Sequence, residues 1–190
     1  MNKNKNLIVV FLLLIIGIIL YFLSQNRSQV LEAVHQVKIV SNSDFIFNTV
    51  QGKPIEIMVA DKEFKIKGME DKIVFLKVFG WDCKFCKKEI PELVKLKKEL
   101  GESFDVIAIE AQQHSKEVSL QKIEEYGINY HIVSGDEQRE FYSYLQEKYG
   151  WTGIIPLTIV VAKGGQVLAF ELGAKSYSLS ELMQASLLRN

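Results

Sequence analysis

Apolar and polar positions fall into three regimes along the chain. Residues 7–23, "LIVVFLLLIIGIILYFL", contain no charge, and Lys3 and Lys5 stand just before them. As a helix this run would span about 25 Å, the short end of what a bilayer core requires. Polar "SQNRSQ" follows, with neither an A-x-A-like cleavage pattern nor a cysteine for lipid attachment. That favours a retained anchor over a removed signal peptide. The lysines then hold residues 1–6 in the cytoplasm, and the chain after Ser24 is exported. Residues 24–44 read as a spacer, mildly apolar at Val30, Leu31, Val34 and Val37.

The third regime, residues 45–190, alternates as a folded domain does. "PIEIMV" and "EFKIK" predict short strands, with "QGKP" as a turn before the first. "IVFLKVF", Ile73–Phe79, is almost continuously apolar, as a central strand buried on both faces is. "CKFCKKEIPELVKLKKEL" predicts a helix with Ile90, Leu93, Leu96 or Val94, and Leu100 inward, stopped at Gly101. "FDVIAIE" predicts another strand, "SKEVSLQKIEEYG" a helix ending at Gly127, and "YHIV" a short strand. Ser134 and Glu137 match a capping box opening a helix that carries Phe141, Tyr144, Leu145 and Tyr149. "LTIVVA", Gly164-Gly165 and "QVLAFEL" predict a hairpin, and Ser178 with Glu181 caps a final helix. The alternation, closed by a hairpin, points to an α/β fold with a mixed central sheet flanked by helices.

Composition narrows the function only by exclusion. Lys plus Arg and Asp plus Glu each number 23, so the charge balance gives no reason to expect a nucleic-acid partner. A hydrophobic fraction of 48% excludes a disordered chain and suits one domain behind an anchor.

Cysteine usage changes the picture. Cys83 and Cys86 are the only two cysteines, two residues apart at the start of a predicted helix. A helix N-terminus offers unpaired N–H groups and partial positive charge, both of which stabilise a thiolate. Cys83, at the tip, would attack a substrate disulfide, and Cys86, one turn in, would resolve the mixed disulfide. Two other readings stand beside this one. A structural disulfide would close so short a loop that it gains only about 2 kcal/mol. A zinc site would need two more ligands, and His35, His114 and His131 form no ligand-like pair, so neither a metal nor another cofactor is expected.

With these residues the chain resembles the thioredoxin superfamily, and within it the membrane-tethered TlpA/ResA-type thiol–disulfide oxidoreductases. The resemblance rests on "IVFLKVF", the Cys83-x-x-Cys86 pair with Lys87 and Lys88, Pro91 five residues later, "GIIPLT" and "VVAKGGQVLAF". It implies a thioredoxin-like fold, a redox-active Cys83–Cys86 disulfide and a cis peptide before Pro156. By the same resemblance the backbone of Ile155 would pair with an extended client, and Trp81 would contact it. The chain departs from the family pattern at several positions, and "WTGIIP" is one residue longer than the usual approach to the cis-proline. Asp82 stands immediately before Cys83 where relatives often have Trp; it could cap the helix, and its charge would oppose a thiolate. Lys77 stands six residues before Cys83, where relatives carry Asp, Glu or Asn. It reads either as a lysine snorkelling from the strand end or as a cation modulating the cysteines. Lys84-Phe85 lacks the usual proline or glutamate. Glu89 and Glu110 could assist proton transfer but read first as solvated-face or strand-end residues, and His114 and His131 as surface or packing residues.

The resemblance implies an exported reductase on the cytoplasmic membrane. Its clients would be cysteine-containing exported proteins such as apocytochrome c, and its electrons would come from a membrane donor of the DsbD/CcdA type. A disulfide isomerase, a general extracytoplasmic reductase and a non-enzymatic binding module are the rival readings. The P-x-x-x-T-x-x-C pattern of a peroxidatic cysteine is absent.

Overall fold

The computed structural model describes residues 44–188 together with Tyr21. The expected tip 1–6, anchor 7–23 and spacer 24–44 therefore lie outside the described residues, Tyr21 and Asp44 apart. Among the described residues no helix is long and apolar enough to cross a membrane.

The elements run β1 (Phe45–Asn48), β2 (Pro54–Ala60), β3 (Glu63–Ile66), β4 (Ile73–Phe79), α1 (Lys84–Leu100), β5 (Phe104–Glu110), α2 (Lys116–Tyr126), β6 (His131–Ser134), α3 (Arg139–Tyr149), β7 (Leu157–Val161), β8 (Val167–Leu172) and α4 (Leu179–Leu187). Five strands form the central sheet in the order β6-β5-β4-β7-β8. β4 pairs in parallel with β5 and antiparallel with β7, so the sheet is mixed as expected. This is a thioredoxin-like α/β fold.

Alternation along β4 assigns each side chain to a face. Val74, Leu76 and Val78 enter a core shared with Phe47, Ile57, Phe64 and Phe141. Phe75 and Phe79 enter the other core, shared with Cys86, Ile90 and Leu93 of α1 and Leu182 of α4. Lys77 has the parity of Phe75 and Phe79 and therefore faces α1. By the same rule Thr158, its cross-strand partner on β7, shares that face.

The strands that precede β4 stand apart from the central sheet: β1, β2 and β3 pair among themselves as a three-stranded antiparallel sheet. Their inward residues Phe47, Ile57 and Phe64 then cover the face of the central sheet opposite α1. α3 fastens this layer, its Phe141 ring lying 5.1 Å from that of Phe45 and 5.0 Å from that of Phe47. One expectation is corrected, the capping box at Ser134. Ser134 is the last residue of β6 and its hydroxyl donates to Asp136, while α3 starts only at Arg139 without a side-chain cap. The box at Ser178 and Glu181 does form.

Candidate active site

β4 runs through the core and delivers a three-residue loop, Gly80 to Asp82, directly to the head of α1. Cys83 is the N-cap of that helix, with φ −76° and ψ 110°, and its Sγ accepts from the backbone N–H of Cys86 at 3.1 Å. Asp82 is therefore not the cap that its residue type suggests; its carboxylate lies outside the helix, largely exposed. Cys83 is partly exposed, Cys86 is 2% exposed, and the two form a disulfide. One sulfur can be approached from solvent while its partner is sealed behind it.

The second segment of the site precedes β7. The Ile155–Pro156 peptide is cis, as the resemblance implied. Pro156 is buried, its carbonyl accepts from Gly173 N–H at 2.8 Å, and Ile155 packs against the core cluster that also holds Cys83 and Cys86.

Trp81 does not occupy the place expected of a client contact. It is 2% exposed, donates from Nε1 to Ser119 Oγ at 3.1 Å and packs edge-on to Phe79 at 4.8 Å. An indole so committed fixes the loop rather than meeting a client. The apolar surface is offered instead by Phe85 and Ile154, each about half exposed. Beside Phe85 a cleft of about 180 Å³ opens between α1 and the segment after β8, with Glu89, Lys175 and Tyr177 in its lining.

Lys77 does not snorkel. It is 1% exposed, and its ammonium donates to Glu89 Oε2 at 2.8 Å and to Thr158 Oγ1 at 2.6 Å. Lys175, whose side chain is 4% exposed, reaches the other oxygen of the same carboxylate at 3.2 Å. Glu89 is thus a buried carboxylate between two ammonium groups, one turn beyond Cys86 on α1, not a solvated-face residue. Thr158, Lys175 and the buried role of Glu89 were missed from the sequence. The signal was there: a lysine inside an apolar central strand demands a counter-charge, and Glu89 lies three residues after Cys86 on the inward side of α1.

Burial pushes the Lys77 ammonium down from its usual 10.5 to about 8, against the attraction of Glu89. The folded protein therefore releases this proton at lower pH than the unfolded chain does. Between about pH 8 and 10.5 the unfolded state binds more protons, so this group makes stability rise with pH across that window. Below pH 8 the lysine is charged in both states and contributes no slope. In urea unfolding of the oxidised full chain at pH 7 to 10, the wild type should gain on Lys77→Met as pH rises; parallel curves would contradict it.

Comparison with known proteins agrees with this geometry. The description of the AhpC/TSA family matches residues 47–170. The chain is 30% identical over 177 residues to the thiol–disulfide oxidoreductase ResA of Bacillus cereus, covering 88% of each chain. It is 29% identical over 181 residues to ResA of Bacillus anthracis, covering 93% of this chain and 92% of the relative. Among solved structures, the fold matches a thiol:disulfide interchange protein DsbE from Chlorobium tepidum with TM-score 0.56 at 14% identity, over 78% of this chain and 94% of that one. With a partly exposed and a buried cysteine joined at a helix head, and with relatives matched along nearly their whole length, this chain belongs to the AhpC/TSA family and, within it, to the ResA-type thiol–disulfide oxidoreductases.

Proposed function

We propose that the protein is an extracytoplasmic disulfide reductase, held to the cytoplasmic membrane by Leu7–Leu23, with the haem-attachment cysteines of apocytochrome c as its client class. The observation that carries this reading is the Cys83–Cys86 disulfide at the head of α1, one cysteine accessible and the other buried. In the reduced protein the Cys83 thiolate attacks one sulfur of a client disulfide. That S–S bond breaks, its electron pair leaves on the second client sulfur, and this sulfur takes up a proton. The Cys86 thiolate then attacks Cys83 Sγ, closing the internal disulfide and expelling the first client sulfur as a thiolate. Two electrons pass to the client, and a membrane dithiol donor of the DsbD/CcdA type restores them.

The backbone at Ile155 receives an extended client as an added strand, and the cleft beside Phe85 takes a neighbouring side chain. Export of the domain is supported by the uncharged run and the lysines before it.

The test is the reduction potential of the Cys83–Cys86 pair, measured by equilibration with glutathione. A reductase should lie near the thioredoxin value of about −270 mV; a value near the DsbA value of about −120 mV would make the protein a disulfide donor and overturn the reading.

A further inference from the structure

The loop between β5 and α2 grips the residue that precedes the cysteines. His114 Nε2 lies 3.2 Å from Asp82 Oδ2, and its Nδ1 lies 3.3 Å from Oε1 of Glu110. Glu110 is 1% exposed at the end of β5, and its carboxylate also accepts from the backbone N–H groups of Gln112 and His114, each at 3.0 Å. Gln112 completes the grip: its Oε1 accepts from Asp82 N–H at 2.7 Å, and its side chain fills the space where a Cβ on Gly80 would sit. Both ring nitrogens of His114 thus face carboxylate oxygens, one on Asp82 and one on Glu110. Lys122 on α2 bonds Glu125 at 2.6 Å and acts on Asp82 only through space, whereas His114 contacts it directly.

This grip matters because of what Asp82 would otherwise do. Aspartate is among the strongest N-cap residues, and the positive end of a helix attracts its carboxylate. Asp82 stands one residue before the N-cap, yet the helix head serves Cys83 Sγ instead. We infer that His114, anchored on Glu110, is a positioning residue for the exchange reaction: it holds the Asp82 carboxylate away from the head of α1, leaving that head to the Cys83 thiolate. The inference rests on Cys83 being the attacking thiol. Released, the carboxylate competes for the same N–H groups and sets a like charge beside the sulfur. A unit charge roughly 7 Å away in a water-like dielectric changes the thiolate population about threefold, and direct competition for the helix head adds to that.

The experiment is alkylation of the reduced full-length protein in detergent by iodoacetamide at pH 7, with the labelled cysteine located by mass spectrometry. His114→Gln should slow labelling of Cys83 threefold or more. In an Asp82→Ala background the same substitution should lose the larger part of its effect, and Asp82→Ala alone should label at least as fast as the wild type. A purely structural role for His114 would not depend on the residue at 82 in this way. Equal slowing in both backgrounds, or none in either, with the label on Cys83, would overturn the clamp and leave the nucleophile assignment intact. Label on Cys86 would overturn the nucleophile assignment and the clamp with it.

Discussion

Glu89→Ala is expected to destabilise the oxidised protein by about 3–5 kcal/mol at pH 7, the cost of leaving buried charge uncompensated. Lys77 and Lys175 both direct their ammonium groups at this one carboxylate. Removing it leaves two cations facing each other, with Thr158 Oγ1 accepting from both at 2.6 and 3.4 Å. A hydroxyl supplies hydrogen-bond acceptance without countering charge. Burial already lowers the Lys77 ammonium and Glu89 opposes that, so without Glu89 the folded variant should shed this proton at still lower pH, and its deficit should shrink as pH rises toward 8 and stay level above it. Glu89→Gln keeps an acceptor of similar shape and should lose less. The triple variant Lys77→Met, Glu89→Leu, Lys175→Met replaces the whole group by apolar side chains and should recover most of the loss, since a buried ion pair and its apolar substitute are often close in energy. Urea unfolding of the four proteins decides it. A Glu89→Ala deficit below about 1 kcal/mol would mean that water reaches the lysines and that the triad is not sealed.

What could be read from the sequence follows from the range over which each feature is determined. The central strand Ile73–Phe79, the helix ending at Gly101 and the strand Phe104–Glu110 are local patterns of hydrophobic period and helix stop, and all three fold where expected. The cysteine pair at a helix head was likewise local, because a strand and a helix adjacent in sequence leave the turn between them little freedom. The partition of eight strands into two sheets was not legible. Phe47, Ile57 and Phe64 show an inward face, but their strand period says nothing about which face of which sheet they cover. The Lys77–Glu89–Lys175 group joins β4, α1 and the segment after β8, and the Asp82–His114–Glu110 contact joins two loops about thirty residues apart. Only the anomaly of Lys77 inside an apolar strand announced the first, and nothing in local spacing announced the second. Trp81 failed for a related reason: displaced by one position from the family pattern, its ring turns into the core toward Phe79 and Ser119.

Asymmetry between the two sulfurs carries the largest functional prediction. Cys83 is partly exposed and Cys86 is 2% exposed, behind it on the first turn of α1. A client disulfide can reach the partly exposed Cys83 from solvent, whereas reaching Cys86 would require α1 to leave a core that also buries Ile90 and Leu93. The order of attack follows from access alone, and the field at the helix head acts in the same direction. Cys83→Ser should therefore abolish disulfide reduction and capture no clients. Cys86→Ser should also stop turnover, but after the first step, because nothing remains to attack Cys83 Sγ. It should accumulate mixed disulfides with exported proteins that dissolve on addition of a reductant. Expressed as full chains in a cell that makes c-type cytochromes, the two variants should differ by at least about tenfold in covalent adducts, since a partly exposed thiol competes with a sealed one. Among the captured proteins, those carrying Cys-x-x-Cys-His should dominate. Equal capture by both variants would remove the order of attack. Strong capture by Cys86→Ser of exported proteins without that motif would keep the chemistry and shift the clients to exported disulfides in general.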